Sequence, residues 1–134
     1  MKFISGLKFD GSAPTLNTAK EELLNGLQGL LGKKIIIQKE IINNSIVAGT
    51  PASSNIIASL SLKQQLQEAG KEGFIIIKTK NNQKNITAIA ANTDVGVLYG
   101  VFHFLRLLQT QQSIQDLSIV SSPKIQLRIL NPLG

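Results

Sequence analysis

A chain of 134 residues with 43% apolar and 16% charged side chains suits one domain with a single hydrophobic core, too short for two and too apolar for disorder. It has no cysteine, which excludes disulfides, thiolate metal sites and thiol nucleophiles, and no apolar run long enough to span a bilayer. The net charge of +6 permits an anionic partner without requiring one.

The opening MKFISGLKFDG breaks its apolar run at Ser5, Gly6 and Lys8, so it does not read as a secretory signal. Thr18 then stands three residues before Glu21. That is capping-box spacing, and a helix is expected to begin there. Leu23, Leu24, Leu27, Leu30 and Leu31 form its apolar stripe, and Gly32 followed by two lysines ends it. Gly26 and Gly29 each weaken such a helix by about 1 kcal/mol against alanine, which points to close packing on a sheet.

Residues 34–41 and 45–49 are short β-branched runs around Asn43-Asn44 and read as strands; the unbroken Ile35-Ile36-Ile37 implies burial on both faces. The stretch TPASSNIIASLSLKQQLQEAG reads as a helix capped by Ser53 or Ser54, ended by Gly70 and interrupted near Ser61. Next, GFIIIKTKNNQKNITAIAAN is a β-hairpin about Asn81-Asn82-Gln83.

The longest helix follows, capped by Thr93 or Asp94. At 100° per residue, Val97, Leu98, Val101, Phe104, Leu105 and Leu108 share a broad apolar face, with Gly96, Tyr99, His103, Arg106 and Thr110 opposite. After DLSIV and the breaker SSP, residues 125–130 form the last strand-like run. Helices and strands in this order make an α+β chain, a mixed sheet with helices packed on it.

Few residues invite a chemical role. His103 lies with Tyr99 and Arg106 in a group that could bind an anion, but the sequence supplies no paired nucleophile or orienting acid, so a structural role is the stronger reading. The eight acids, Asp10, Glu21, Glu22, Glu40, Glu68, Glu72, Asp94 and Asp116, fall at caps, helix surfaces or turns and offer no facing pair for glycoside hydrolysis. AGTPASS lacks the Gly-Lys-Ser/Thr end of a phosphate loop and reads as a strand-to-helix turn. Lysines 33, 34, 39, 78, 80 and 84 cluster at strand ends and the hairpin tip; with one tyrosine and no tryptophan, stacking platforms for nucleic acid are scarce, and a solvated rim is favoured. The tripeptides NNS and NIT are too short to count as glycosylation sites. No catalytic, cofactor-binding or metal-binding residue is assigned.

Taken together, AGTPASSNIIASL, GKEGFIIIKT, AANTDVGVLYGVFHFLRLLQTQQ and SSPKIQLRILN closely resemble the N-terminal domain of family 67 glycoside hydrolases, the α-glucuronidases acting on glucuronoxylan fragments. The resemblance covers roughly residues 15–131. It implies an α/β sandwich similar to the accessory domain that precedes the barrel in β-hexosaminidases. The family's catalytic acids lie in a TIM barrel beyond this domain, so none maps onto this chain. The resemblance therefore implies a non-catalytic accessory domain, residues 1–124, with residues 125–134 as the remnant of the first barrel strand and a tail.

In the family that strand continues from Leu-Asn into His-Trp-Asp-Asn, whereas here Asn131 is followed by Pro132, Leu133 and Gly134. Codons AAC CAT TGG GAT AAC become AAC CCA TTG GGA TAA when one C is inserted after the first. A frameshifted α-glucuronidase gene is the expectation, its intact form removing 4-O-methylglucuronic acid from xylo-oligosaccharides with inversion. The expected partners are the missing barrel and other copies of this chain, through exposed apolar surface or the 125–130 edge, with neither nucleic acid nor membrane. The chain as given is expected to be cytoplasmic, its parent periplasmic or secreted. A freestanding module binding polyanions or carbohydrate through the lysine rim is the alternative, and a small enzyme built on His103 is a third reading.

Overall fold

The computed structural model describes residues 4, 6–11, 13–32, 34–110, 118–121 and 128–129. In chain order these form β1 (Gly6–Phe9), α1 (Pro14–Leu31), β2 (Ser45–Gly49), α2 (Asn55–Ser59), α3 (Lys63–Ala69), β3 (Phe74–Asn81), β4 (Lys84–Ala90), α4 (Asp94–Gln109), β5 (Ser118–Ser121) and β6 (Arg128–Ile129). The strands make one mixed sheet in the order β1-β2-β4-β3-β5-β6, parallel at β1-β2 and β2-β4 and antiparallel at the other pairings.

Alternation along the central strands sorts the core into two halves. Ile46, Ala48, Ile76 and Ile89 join Leu16, Ala19, Leu23 and Leu27 of α1 and Val97, Val101, Phe104 and Leu108 of α4 on one face. Val47, Ile75, Ile86, Ala88 and Ala90 meet Ile57 of α2 and Leu62, Leu66 and Ala69 around α3 on the other. The sheet is thus covered by helices on both sides, and the expected α+β architecture of a mixed sheet with helices packed on it is what forms. Successive strand residues point to opposite faces, so β2 is buried at every position.

The hairpin turns on Asn82 and Gln83, both at positive φ (51° and 66°), the pair of left-handed residues a two-residue turn requires. The helical stretch after Pro51 is interrupted as expected: Ser61 takes φ 58° between α2 and α3. Ser54 caps α2 by accepting from Ile57 N–H at 3.3 Å, and Thr93 caps α4 by accepting from Gly96 N–H at 3.2 Å.

Several expectations are corrected. Helix α1 begins at Pro14, not at Thr18, because proline at the first helical position has the right φ and no N–H to satisfy. Thr18 Oγ1 instead donates to the Pro14 carbonyl at 3.1 Å, inside the helix. Gly26 does face a tight contact, but with Leu105 of α4 and not with the sheet, while a Cβ on Gly29 would meet nothing within 4 Å. Gly96, placed on the polar face by helical spacing, is buried against Gly73 and Ala91.

The strand expected over 34–41 shrinks to one bridge, Ile37 to Leu7. Leu7 N–H donates to the Ile36 carbonyl and Gln38 N–H to the Leu7 carbonyl, so the segment lies along the outer edge of β1. Ile35 is buried, whereas Ile36 is 59% and Ile37 42% exposed. The strand that holds this edge place, β1, carries only Gly-Leu-Lys-Phe, which composition gave no reason to single out. Of the run expected over 125–130, Arg128 and Ile129 pair with β5. The remainder of that run, Asp116 and Lys33, and the terminal Pro132-Leu133-Gly134 lie outside the described residues.

Candidate functional site

The single histidine stands where α4 crosses the start of β3. Gly100, one turn earlier, brings the helix so close to the sheet that a Cβ there would sit 2.8 Å from Ile89 and 3.2 Å from Phe74. That approach sets the His103 ring 5.5 Å from the Phe74 ring, tilted by 38°. Its Nε2 is buried with no hydrogen-bond partner among the described residues. Burial pushes the imidazole below its ordinary 6.5, and the Arg106 guanidinium one turn on lowers it further.

At neutral pH, then, His103 is a neutral ring packed on an aromatic one. Tyr99 and Arg106 are on the same side of α4 and exposed, as the spacing requires. No hydroxyl, thiol or carboxylate of the described residues is hydrogen-bonded to the imidazole, so the group lacks the base-to-nucleophile contact that nucleophilic catalysis is built on. Asp10 pairs with Lys8 at 2.6 Å, and among the described residues no three of His, Asp or Glu are grouped to hold a metal ion.

The loop Thr50-Pro51-Ala52-Ser53-Ser54 leaves the carboxyl end of β2, where α/β sheets commonly receive ligands. Its polar groups serve the turn. Thr50 N–H donates to Ser53 Oγ at 3.0 Å, Ser53 N–H donates to Thr50 Oγ1 at 3.0 Å, and Ser54 is the α2 cap. This is the strand-to-helix turn the sequence favours.

The lysines divide between two places. Lys34 and Lys39 flank the exposed edge segment, and Lys78, Lys80 and Lys84 are on the hairpin. Lys84 Nζ donates to the Ile41 carbonyl at 3.0 Å and Asn85 N–H to Asn43 Oδ1 at 2.8 Å, tying the hairpin to the segment before β2. Of the two sequon asparagines, Asn43 gives its side-chain oxygen to that contact and Asn85 its backbone N–H.

What the surface offers instead is apolar. Tyr99 (45%) and Phe102 (46%) are exposed on the outer side of α4; Leu30, Ile36, Ile37 and Ile42 are exposed between the end of α1 and the start of β2. Helical spacing omitted Phe102 from the apolar face of α4, and the Ile triplet pointed to burial, so sequence reasoning missed both patches. The available signal for Phe102 was a large aromatic between Tyr99 and Arg106 on a polar flank.

The profile of the glycosyl hydrolase family 67 N-terminus matches residues 1–104. Among solved structures, a family GH115 4-O-methyl-α-glucuronidase with specificity for decorated arabinogalactans is similar over 78% of this chain and 13% of its own, with 25% identity and a TM-score of 0.62. A GH138 enzyme targeting pectin rhamnogalacturonan II is similar in fold over 89% of this chain and 12% of its own, with 18% identity and a TM-score of 0.56. The chain thus spans about an eighth of the length of each of these enzymes. No curated protein matches in sequence.

Proposed function

The chain belongs to the glycosyl hydrolase family 67 N-terminal family, and from that premise we propose that it is the non-catalytic accessory domain of an α-glucuronidase, packing beside a TIM-barrel catalytic domain. The family match over residues 1–104 carries this reading. The GH115 glucuronidase supports it, because there too the similar region is a small part of a much longer hydrolase. The layering supplies a physical role: a sheet buried on both faces is a rigid block, suited to bracing a neighbour.

In the finer form of the proposal the parent acts on glucuronosyl linkages of xylo-oligosaccharides. Tyr99 and Phe102, apolar and exposed on α4, are the surface best suited to meet a partner domain. The test has two parts. Purified chain incubated with aldouronic acids should release no glucuronic acid, and release abolished in His103→Ala would favour the small-enzyme reading instead. The chain should also bind a family 67 barrel expressed separately, and failure to bind would sink the accessory role.

A further inference from the structure

We propose that the edge segment around Ile37 is a self-association site at which a second copy of this chain pairs antiparallel, on a twofold axis through Ile37. The occupant is chosen by backbone geometry and by charge, independently of any catalytic domain.

The ladder on β1 fixes which groups are available. Leu7 uses the Ile36 carbonyl and the Gln38 N–H, so the Ile37 N–H and C=O point away from β1, out of the sheet edge. Among the described residues no strand pairs with this edge, and an edge of this kind is a template for another strand. Ile36 and Ile37 are both exposed beside it. Register explains why. Ile37, level with Leu7, lies on the α1 side; Ile36, one residue off, lies on the side of α2 and α3, whose main strand contacts are with β2, β3 and β5.

Pairing two copies antiparallel about Ile37 sets Ile37 against its own symmetry mate and exchanges two hydrogen bonds there. Ile36 then falls opposite Gln38, and Lys34 comes to the end of the pairing where the other copy's Glu40 lies. Lys34 and Glu40 are both exposed, so each copy supplies one cation and one anion, and the twofold makes two attractive pairs. A register shifted to centre on Ile36 turns outward the backbone groups that already serve β1. The self-complementary register is thus also the one the free N–H and C=O allow.

The chain has no cysteine, so a single introduced one is a clean probe. Residues opposite one another in a hydrogen-bonded antiparallel pair have Cα atoms about 5.5 Å apart, within the range a disulfide spans. Ile37→Cys should cross-link to a dimer under mild oxidation, and Ile36→Cys, facing Gln38, should do so far less. By sedimentation velocity across a concentration series, Lys34→Glu should weaken the wild-type dimer by roughly tenfold, since two attractions become two repulsions. Glu40→Lys should do the same, and the double reversal Lys34→Glu/Glu40→Lys should restore it. A monomer at every concentration overturns the proposal. So does a dimer indifferent to the single reversals, or one that cross-links as well at 36 as at 37.

Discussion

A Cβ on Gly96 would stand 2.5 Å from the carbonyl oxygen of Gly73 and 2.7 Å from Cβ of Ala91. The first turn of α4 therefore rests directly on backbone at the start of β3, where no flexible side chain can yield. Gly96→Ala is expected to lower stability by about 1–3 kcal/mol, even though alanine is the better helix former. Gly29→Ala, with nothing within 4 Å of the added carbon, should raise it by roughly 0.5–1 kcal/mol. Urea unfolding of both variants measures the contrast, and an unperturbed Gly96→Ala would contradict the packing.

The two helix caps give a second contrast. Thr93 holds Gly96 N–H and also donates to the Lys71 carbonyl, and Ser54 holds Ile57 N–H. Replacing either by alanine should remove about 1 kcal/mol. Thr18→Ala should change little, because its exposed hydroxyl only doubles up on a carbonyl within α1. Thermal melts of the three variants would rank them, and a large loss at Thr18 would restore the capping-box expectation.

Phe102 and Phe104 are two residues apart on α4 and differ in everything else. Phe104 is fully buried between α1 and the sheet, and Phe102 is 46% exposed. Phe104→Ala should cost about 3–5 kcal/mol from lost burial and the cavity left. Phe102→Ala should shift the stability of the isolated chain by no more than roughly 0.5 kcal/mol, while weakening any complex formed with a family 67 barrel. Denaturation followed by pull-down with that barrel separates the two effects.

His103 predicts a pH dependence with a definite sign. Its folded-state pKa lies below the 6.5 of the unfolded chain, so the unfolded state binds the proton first as acid is added. The stability tied to the neutral ring is complete above pH 6.5 and is lost as the pH falls below it toward the folded value. Melting temperatures between pH 7.5 and 5 should decline more steeply for wild type than for His103→Phe, which keeps an aromatic ring on Phe74 and has nothing to titrate. Parallel curves would show that the imidazole is not the group responsible.

Much of the fold is legible in local sequence because the relevant forces are local. Asn82-Gln83 between alternating runs marks the hairpin, Thr93 before an apolar period marks α4, and Gly70 after LKQQLQEA marks the end of α3. Each is fixed by the dihedral preference or hydrogen bonds of a few neighbouring residues. The errors have another origin. Gly26 and Gly96 announce that something approaches closely without saying what, and Gly-Leu-Lys-Phe is too short and mixed to declare itself an edge strand.

The candidate site was harder still, since a docking surface is defined by what does not cover it. The triplet Ile-Ile-Ile occurs twice. At 75–77 it lies in β3 between β4 and β5, Ile75 and Ile76 filling opposite halves of the core; at 35–37 it runs along the outside of β1 with two of its three side chains open to solvent. By itself the sequence determined the order and kind of most elements and the need of both triplets for a partner. Only tertiary structure decided which of them the domain itself would satisfy, because burial depends on the number of elements that pack around a strand, and that number falls to one at the edge of a sheet.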